Sequence, residues 1–275
     1  MTLPWLANQY NKMTEYFLLG AIGAIAGLLA GLLGIGGGIV IVPALIFSFE
    51  MDGLGQYATK IAIGTALASI FFMGLASSFT HHKKSAVEWE AFASLTPFII
   101  LGTFIGIKIA GHIDGFLLKK YFSILVILIA ITMLFPISER KKQFSAGAWK
   151  WPFYSIGGLF IGALSSLFGT GGGTMTVPLL MLLLDKPIRV AVGTSSAVGV
   201  VIGFFGTCGF IYQGWQFLPD LHFGFVAPQT ALIIAVFGCM TAPIGAFITH
   251  RINTLLLSRV FSVFLMIAGI LLIRS

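Results

Sequence analysis

The chain has 275 residues; 57% are apolar, only 9% are charged, and the formal net charge is +7. That is too little charge to clothe a water-soluble domain of this length. Strand-period alternation is absent, which argues against a membrane β-barrel and leaves an all-α polytopic membrane protein. The excess of Lys and Arg lies in short connections, where it reads as a topology signal and not as a footprint for nucleic acid.

The N-terminal fifteen residues are polar and lack the basic start and short apolar core of a cleaved signal peptide. The first apolar run, Tyr16 to Phe49, is about 34 residues long and as one helix would reach roughly 51 Å, against about 30 Å of hydrocarbon. It cannot stay one helix, because Gly34-Ile35-Gly36-Gly37-Gly38 falls in its middle and each glycine costs about 1 kcal/mol relative to alanine. The run breaks there and resumes as Ile39–Phe49, with Pro43 expected near the start of the second piece, where a missing N–H does least harm. Apolar segments follow at Ile61–Phe79, Ala91–Ala110 and Phe116–Phe135. Pro136 to Lys150 is the long polar connection. Beyond it lie Pro152–Phe168, a second break at Gly169-Thr170-Gly171-Gly172-Gly173, then Thr174–Leu184 with Pro178, Val190–Tyr212, Phe223–Thr249 and Leu255–Ile273.

The two halves repeat. Gly27 through Pro43 aligns without gaps to Gly162 through Pro178, Ala62-Ile63-Gly64-Thr65 matches Ala191-Val192-Gly193-Thr194, and Leu117 to Ser123 matches Leu256 to Ser262. This predicts an N-terminal repeat over 1–136, a basic cytoplasmic linker over 137–150 and a C-terminal repeat over 151–275. If each broken run crosses the membrane once, there are eight full transmembrane helices in two four-helix repeats, and Lys plus Arg divide eight against eight. If each broken run is a helical hairpin followed by three transmembrane helices, the division is ten against six, with Lys83, Lys84, Arg140, Lys141 and Lys142 on the richer side. The second count satisfies the positive-inside rule and makes the repeats inverted, a common transporter build. It is the favoured reading, with the N-terminus outside.

A glycine-broken membrane helix occurring twice in corresponding places points to a transporter's substrate site. Gly36, Gly37, Gly38, Gly171, Gly172 and Gly173 let the backbone bend without side-chain obstruction, with Gly34, Pro43, Gly169 and Pro178 as hinge positions. The first N–H groups of the following helix carry the positive dipole end and bind anions without a buried Arg or Lys. Thr170, Thr174, Thr65, Thr194 and Ser195 are candidate hydroxyl partners. Ile35 and Ile39 stand where the second copy has Thr170 and Thr174, so the site is expected to be asymmetric. The competing reading is that the glycines only allow close helix packing, and that the hydroxyls bond their own backbone.

Glu88, Glu90, Asp114, Asp185 and Asp220 all fall at segment ends, so no acid sits where a proton relay or cation site would need one. Lys108 reads as the deepest cation, snorkelling to the interface. The five histidines also read as terminal, His81-His82-Lys83-Lys84 being an anchor at the cytoplasmic face, and none has metal-ligand spacing. Trp89, Trp149, Trp151 and Trp215 fit interfacial belts. Cys208 and Cys239 read as small buried hydrophobes rather than a thiol pair. No P-loop follows either glycine run. No cofactor or metal is expected; the partners are a small anion and the lipid bilayer, with room left for a homo-oligomer.

The run Gly27-Leu28-Leu29-Ala30-Gly31-Leu32-Leu33-Gly34-Ile35-Gly36-Gly37-Gly38 with Val42-Pro43, its second copy ending Val177-Pro178, and Gly64-Thr65 with Gly193-Thr194 after the breaks together resemble the TauE/SafE family of sulfite exporters. The resemblance covers essentially the whole chain. It implies a bacterial-type inner-membrane permease, not an enzyme, for small sulfur-containing anions such as sulfite, sulfoacetate or related organosulfonates, working by alternating access of one half against the other. The alternatives are a passive anion channel with the same site and a membrane redox or biogenesis protein.

Overall fold

A computed structural model describes residues 4–34, 36–134, 150–182, 186–217, 222–248 and 254–274, all helix and short turns. The first half holds α1 (Pro4–Leu33), α2 (Gly38–Met51), α3 (Ala58–Lys83), α4 (Trp89–His112) and α5 (Gly115–Leu134). The second holds α6 (Lys150–Phe168), α7 (Gly173–Leu182), α8 (Ile188–Phe217), α9 (Pro228–Ile248) and α10 (Thr254–Arg274). Seven of the described helices are long and apolar enough to cross a membrane by length and composition. The fold is thus the expected all-α polytopic one. Most helices outrun their apolar segments by a few residues, since nothing in the flanking turns stops them. The basic linker over 137–150 lies almost wholly outside the described residues.

Each glycine break reverses the chain. A Cβ on Gly37 would stand 2.8 Å from the carbonyl oxygen of Ala26, two turns back along α1, so α2 returns beside α1. In the second half Gly157 of α6 backs onto Leu179 of α7, and Gly172 lies opposite Ile161. The returning helices have 14 and 10 residues, about 21 and 15 Å, too short to span a bilayer core.

The corresponding helices α3 and α8 pack antiparallel. Leu67 meets Gly206, Gly74 meets Val200, the hydroxyls of Ser77 and Ser196 are 3.1 Å apart, and His81 meets Gly193. The other large interfaces join the halves crosswise. Gly23, Gly27 and Gly31 of α1 back onto Ile234, Gly238 and Ala242 of α9, in parallel. Gly158 and Gly162 of α6 back onto Leu95 and Ile99 of α4, also in parallel. Lipid is as apolar as leucine, so such helices associate through close backbone contact at small residues. The competing reading of the glycines as packing residues holds for these positions.

Candidate substrate site at the paired glycine breaks

The two breaks have the same backbone. Gly34, Gly36 and Gly37 have φ of 67°, 79° and 76°; Gly169, Gly171 and Gly172 have 67°, 74° and 84°. Left-handed backbone of this kind is open to glycine at no steric cost and penalises other residues. Each break ends α1 or α6 and at once starts the next helix. Gly34 N–H donates to Ala30 O at 2.9 Å and Thr170 N–H to Ser165 O at 3.1 Å, closing the ends of the first pieces. Ile41 N–H donates to Gly37 O and Thr176 N–H to Gly172 O, opening the second pieces.

The breaks touch each other. Gly36 lies against the Thr170 carbonyl and Gly171, and a Cβ on Gly38 would collide with the carbonyl of Gly169. They sit at the level of the middle of the two central helices: Gly171 lies against Ile70 of α3, and Gly172 against Ile202 of α8. Gly37, Gly38, Thr170, Gly171, Gly172 and Gly173 are buried and Gly36 is half-buried. The structure therefore brings together the glycine residues expected from sequence, at the centre of the bundle.

At the second break, no described residue accepts a hydrogen bond from the N–H groups of Gly173 or Thr174. The Thr174 hydroxyl is also buried with no partner. Pro43 corrects its expectation: it is the sixth residue of its helix, not a first-turn residue, and Pro178 holds the same place in α7. A proline there has no N–H to give to the carbonyl four residues back, which is that of Ile39 or Thr174. Thr174 thus presents an N–H, a hydroxyl and a carbonyl, each without its usual helical or side-chain partner. Ile39 stands in its place in the first half and is fully buried, so the two breaks differ in polarity. Thr176 bonds its own backbone at Gly172 O, 2.8 Å away.

The remaining hydroxyls lie elsewhere. Thr65 Oγ1 accepts from Ala227 N–H at 2.9 Å and Thr194 Oγ1 accepts from Glu88 N–H at 2.9 Å. Each threonine thus caps the start of α9 or α4 in the opposite half. Ser195 Oγ donates to Gly34 O at 2.9 Å, bracing the first break from α8. All three side chains hold the scaffold in the described form.

Several sequence expectations change on burial. Lys108 is exposed, whereas Lys60 and Lys119 are buried. Lys60 donates to Gly111 O at 2.9 Å and lies 5.2 and 5.7 Å from the Phe217 and Phe225 ring centroids; Lys119 pairs with Glu50 at 2.6 Å. Cys208 is exposed, which corrects the expectation for it, whereas Cys239 is half-buried and packs against the hydrophobic core. His81 is fully buried and is no terminal anchor. Ser165 beside the second break, buried with an unpartnered hydroxyl, had no sequence signal to mark it. Trp89, Trp151 and Trp215 are exposed near helix ends, as interfacial residues are. Among the described residues no group of His, Cys, Asp and Glu could hold a metal.

A helical membrane bundle built around two touching glycine breaks has the architecture of a membrane transporter. The chain belongs to the sulfite exporter TauE/SafE family, whose model matches residues 19–272. It is 34% identical over 252 residues to a probable membrane transporter protein of Haemophilus influenzae, covering 90% of this chain and 94% of that one. A probable membrane transporter protein of Methanocaldococcus jannaschii is 31% identical over 250 residues (86% and 87% covered), and YunE of Bacillus subtilis, with the same description, 30% over 276 (93% and 96%). No solved structure matches the chain.

Proposed function

We propose that this membrane transporter is a secondary permease for small sulfur-containing anions, sulfite or organosulfonates of the sulfoacetate type, resident in a bacterial-type inner membrane. The observation that carries the reading is the second break. The N–H groups of Gly173 and Thr174 and the Thr174 hydroxyl have no partner among the described residues, inside a bundle whose breaks hold no acidic side chain. Such a set suits the oxygens of a compact anion, which takes hydrogen bonds and the positive helix end without a fixed counter-charge. The family's name agrees with that chemistry. The antiparallel pairing of α3 with α8 supports halves of inverted orientation, with Lys83 and Lys84 at the cytoplasmic face.

Burial of both breaks favours a carrier that must rearrange to admit its substrate. The moving bodies are not the two sequence halves, because α1 is married to α9 and α4 to α6 across the halves. We infer instead that α1 with α9, and α4 with α6, move as pairs about the central α3 and α8. The test is flux of sulfite, sulfoacetate, thiosulfate, sulfate and chloride into proteoliposomes. Saturable exchange of one or two sulfur oxyanions, lost in Gly172→Leu with membrane insertion retained, is the expected result. Unsaturable flux of every small anion would replace the carrier by a channel, and undiminished exchange by a well-inserted Gly172→Leu would remove the site.

A further inference from the structure

We propose that His81 is the proton-binding residue that couples anion movement to a proton, an inference that rests on the transporter reading above. His81 lies in the last turn of α3, yet it is fully buried. Its Nε2 is 3.3 Å from the carbonyl oxygen of Gly31. Gly31 belongs to the last turn of α1, where carbonyls carry the helix's negative end, and the first glycine break follows at Gly34. On the other side, a Cβ added to Gly193 of α8 would stand 3.1 Å from His81 Cβ, and Ser195, two residues on, donates to the Gly34 carbonyl. The imidazole therefore sits about one helical turn from the break, wedged between the two helices that hold it.

The second half answers with a different chemistry. A Cβ added to Gly64 would stand 3.1 Å from Phe210 Cβ, just as one on Gly193 would from His81 Cβ. His81 and Phe210 thus occupy equivalent places, and both are fully buried. A phenyl ring fills this space well, so packing does not call for an imidazole. A buried titratable side chain inside a membrane bundle is costly and is retained for function. Imidazole is also the side chain whose unperturbed proton affinity falls near neutral pH.

The step balances simply. A proton from water on one side adds to the unprotonated ring nitrogen, and the imidazolium donates Nε2–H to the Gly31 carbonyl. The added positive charge lies about one turn from the first break, which touches the second break where the anion binds, and the occluded site then holds less net charge in the low-dielectric interior than with the anion alone. On release the proton returns to water on the other side, and no other bond changes. Among the described residues, the charged groups bordering this place are few. Its own helix end carries His82, Lys83 and Lys84, and the α3–α4 turn carries Glu88, whose carboxylate pairs with Lys186 at 3.1 Å. Arg189 at the start of α8 is exposed. The facing turns of α1 (Gly27–Leu33) and α9 (Gly238–Ile248) carry no Asp, Glu, Lys, Arg or His.

The experiment uses full-length protein in proteoliposomes with methanesulfonate, sulfoacetate and sulfite, and reads two signals: radiolabel counterflow and substrate-linked proton movement by an internal pH dye. The two sulfonates stay ionised near neutral pH, so any proton that moves with them is carried by the protein. Wild type is expected to show both signals. His81→Phe, which copies the second half, and His81→Gln, which keeps a hydrogen-bonding side chain, are expected to keep counterflow and lose proton movement. Proton movement at the wild-type ratio in either variant overturns the inference. So does wild-type counterflow of a sulfonate without proton movement, which leaves the transporter reading standing. An absence of counterflow for all three anions in wild type overturns the proposed function, and this inference with it.

Discussion

Replacing Thr174 by Val keeps the side chain's volume and removes only its hydroxyl. If that hydroxyl serves the anion, its loss is worth about 1–3 kcal/mol, so KM for the transported anion should rise roughly 5- to 160-fold. Thr174→Ser should restore most of it, and initial-rate kinetics in proteoliposomes would read both. Thr65 gives the contrasting case. Thr65→Val leaves the Ala227 N–H without its acceptor and should cost about 1–3 kcal/mol of stability, read as a lowered Tm in detergent with KM unchanged. A raised KM at unchanged Tm would return Thr65 to the substrate site. Sequence alone could not separate these threonines, because both follow a small residue in an apolar segment. What separates them is the opposite half, whose backbone claims one hydroxyl and leaves the other. His81 shows the same limit: followed by His82, Lys83 and Lys84, it reads as part of a basic end, and only the approach of α1 and α8 buries it.

At the scale of elements, the hairpins were legible because left-handed glycine has so few uses inside an apolar run. Four glycines in five residues both end a helix and permit a reversal. The partners of the long helices were not legible, since small residues spaced four apart mark a contact face without naming what meets it. Gly23, Gly27 and Gly31 form such a face, and it meets α9. Gly27→Leu would drive a side chain into the Gly238 carbonyl, which cannot yield without moving the whole helix. The expected cost is at least about 1–3 kcal/mol. The variant should insert into the membrane, give a lower Tm and lose anion exchange. Leu29→Ala, on the opposite side of the same helix, serves as the control that only removes volume. A Gly27→Leu protein with wild-type Tm and exchange would show that α1 and α9 are not held together in the membrane.

For the whole molecule, the repeat in the sequence carried the reading furthest. It predicted five elements per half, and the reciprocal pairing of α1 with α9 and α6 with α4 follows that correspondence. Orientation in the membrane is a separate matter, argued from Lys and Arg. Single cysteines at Lys84 and Lys186, in a chain with Cys208 and Cys239 replaced, should react with an impermeant maleimide only from the cytoplasmic side; cysteines at Gly53 and Phe223 should react only from outside. Labelling of the Lys84 and Lys186 positions from opposite sides would sink the hairpin arrangement.

The crosswise marriage of α1 to α9 also bears on how the protein is made. The glycine face of α1 finds its partner about two hundred residues later, so at roughly 5–20 residues per second it waits some 10–40 s of synthesis for α9 to emerge. Contacts so distant along the chain close late and slowly. The first half leaves the ribosome with its tightest surface uncovered, a nascent intermediate for the insertion machinery to shelter. The later helices complete the first ones, and the protein should become resistant to the membrane's quality-control proteases only after α9 has emerged.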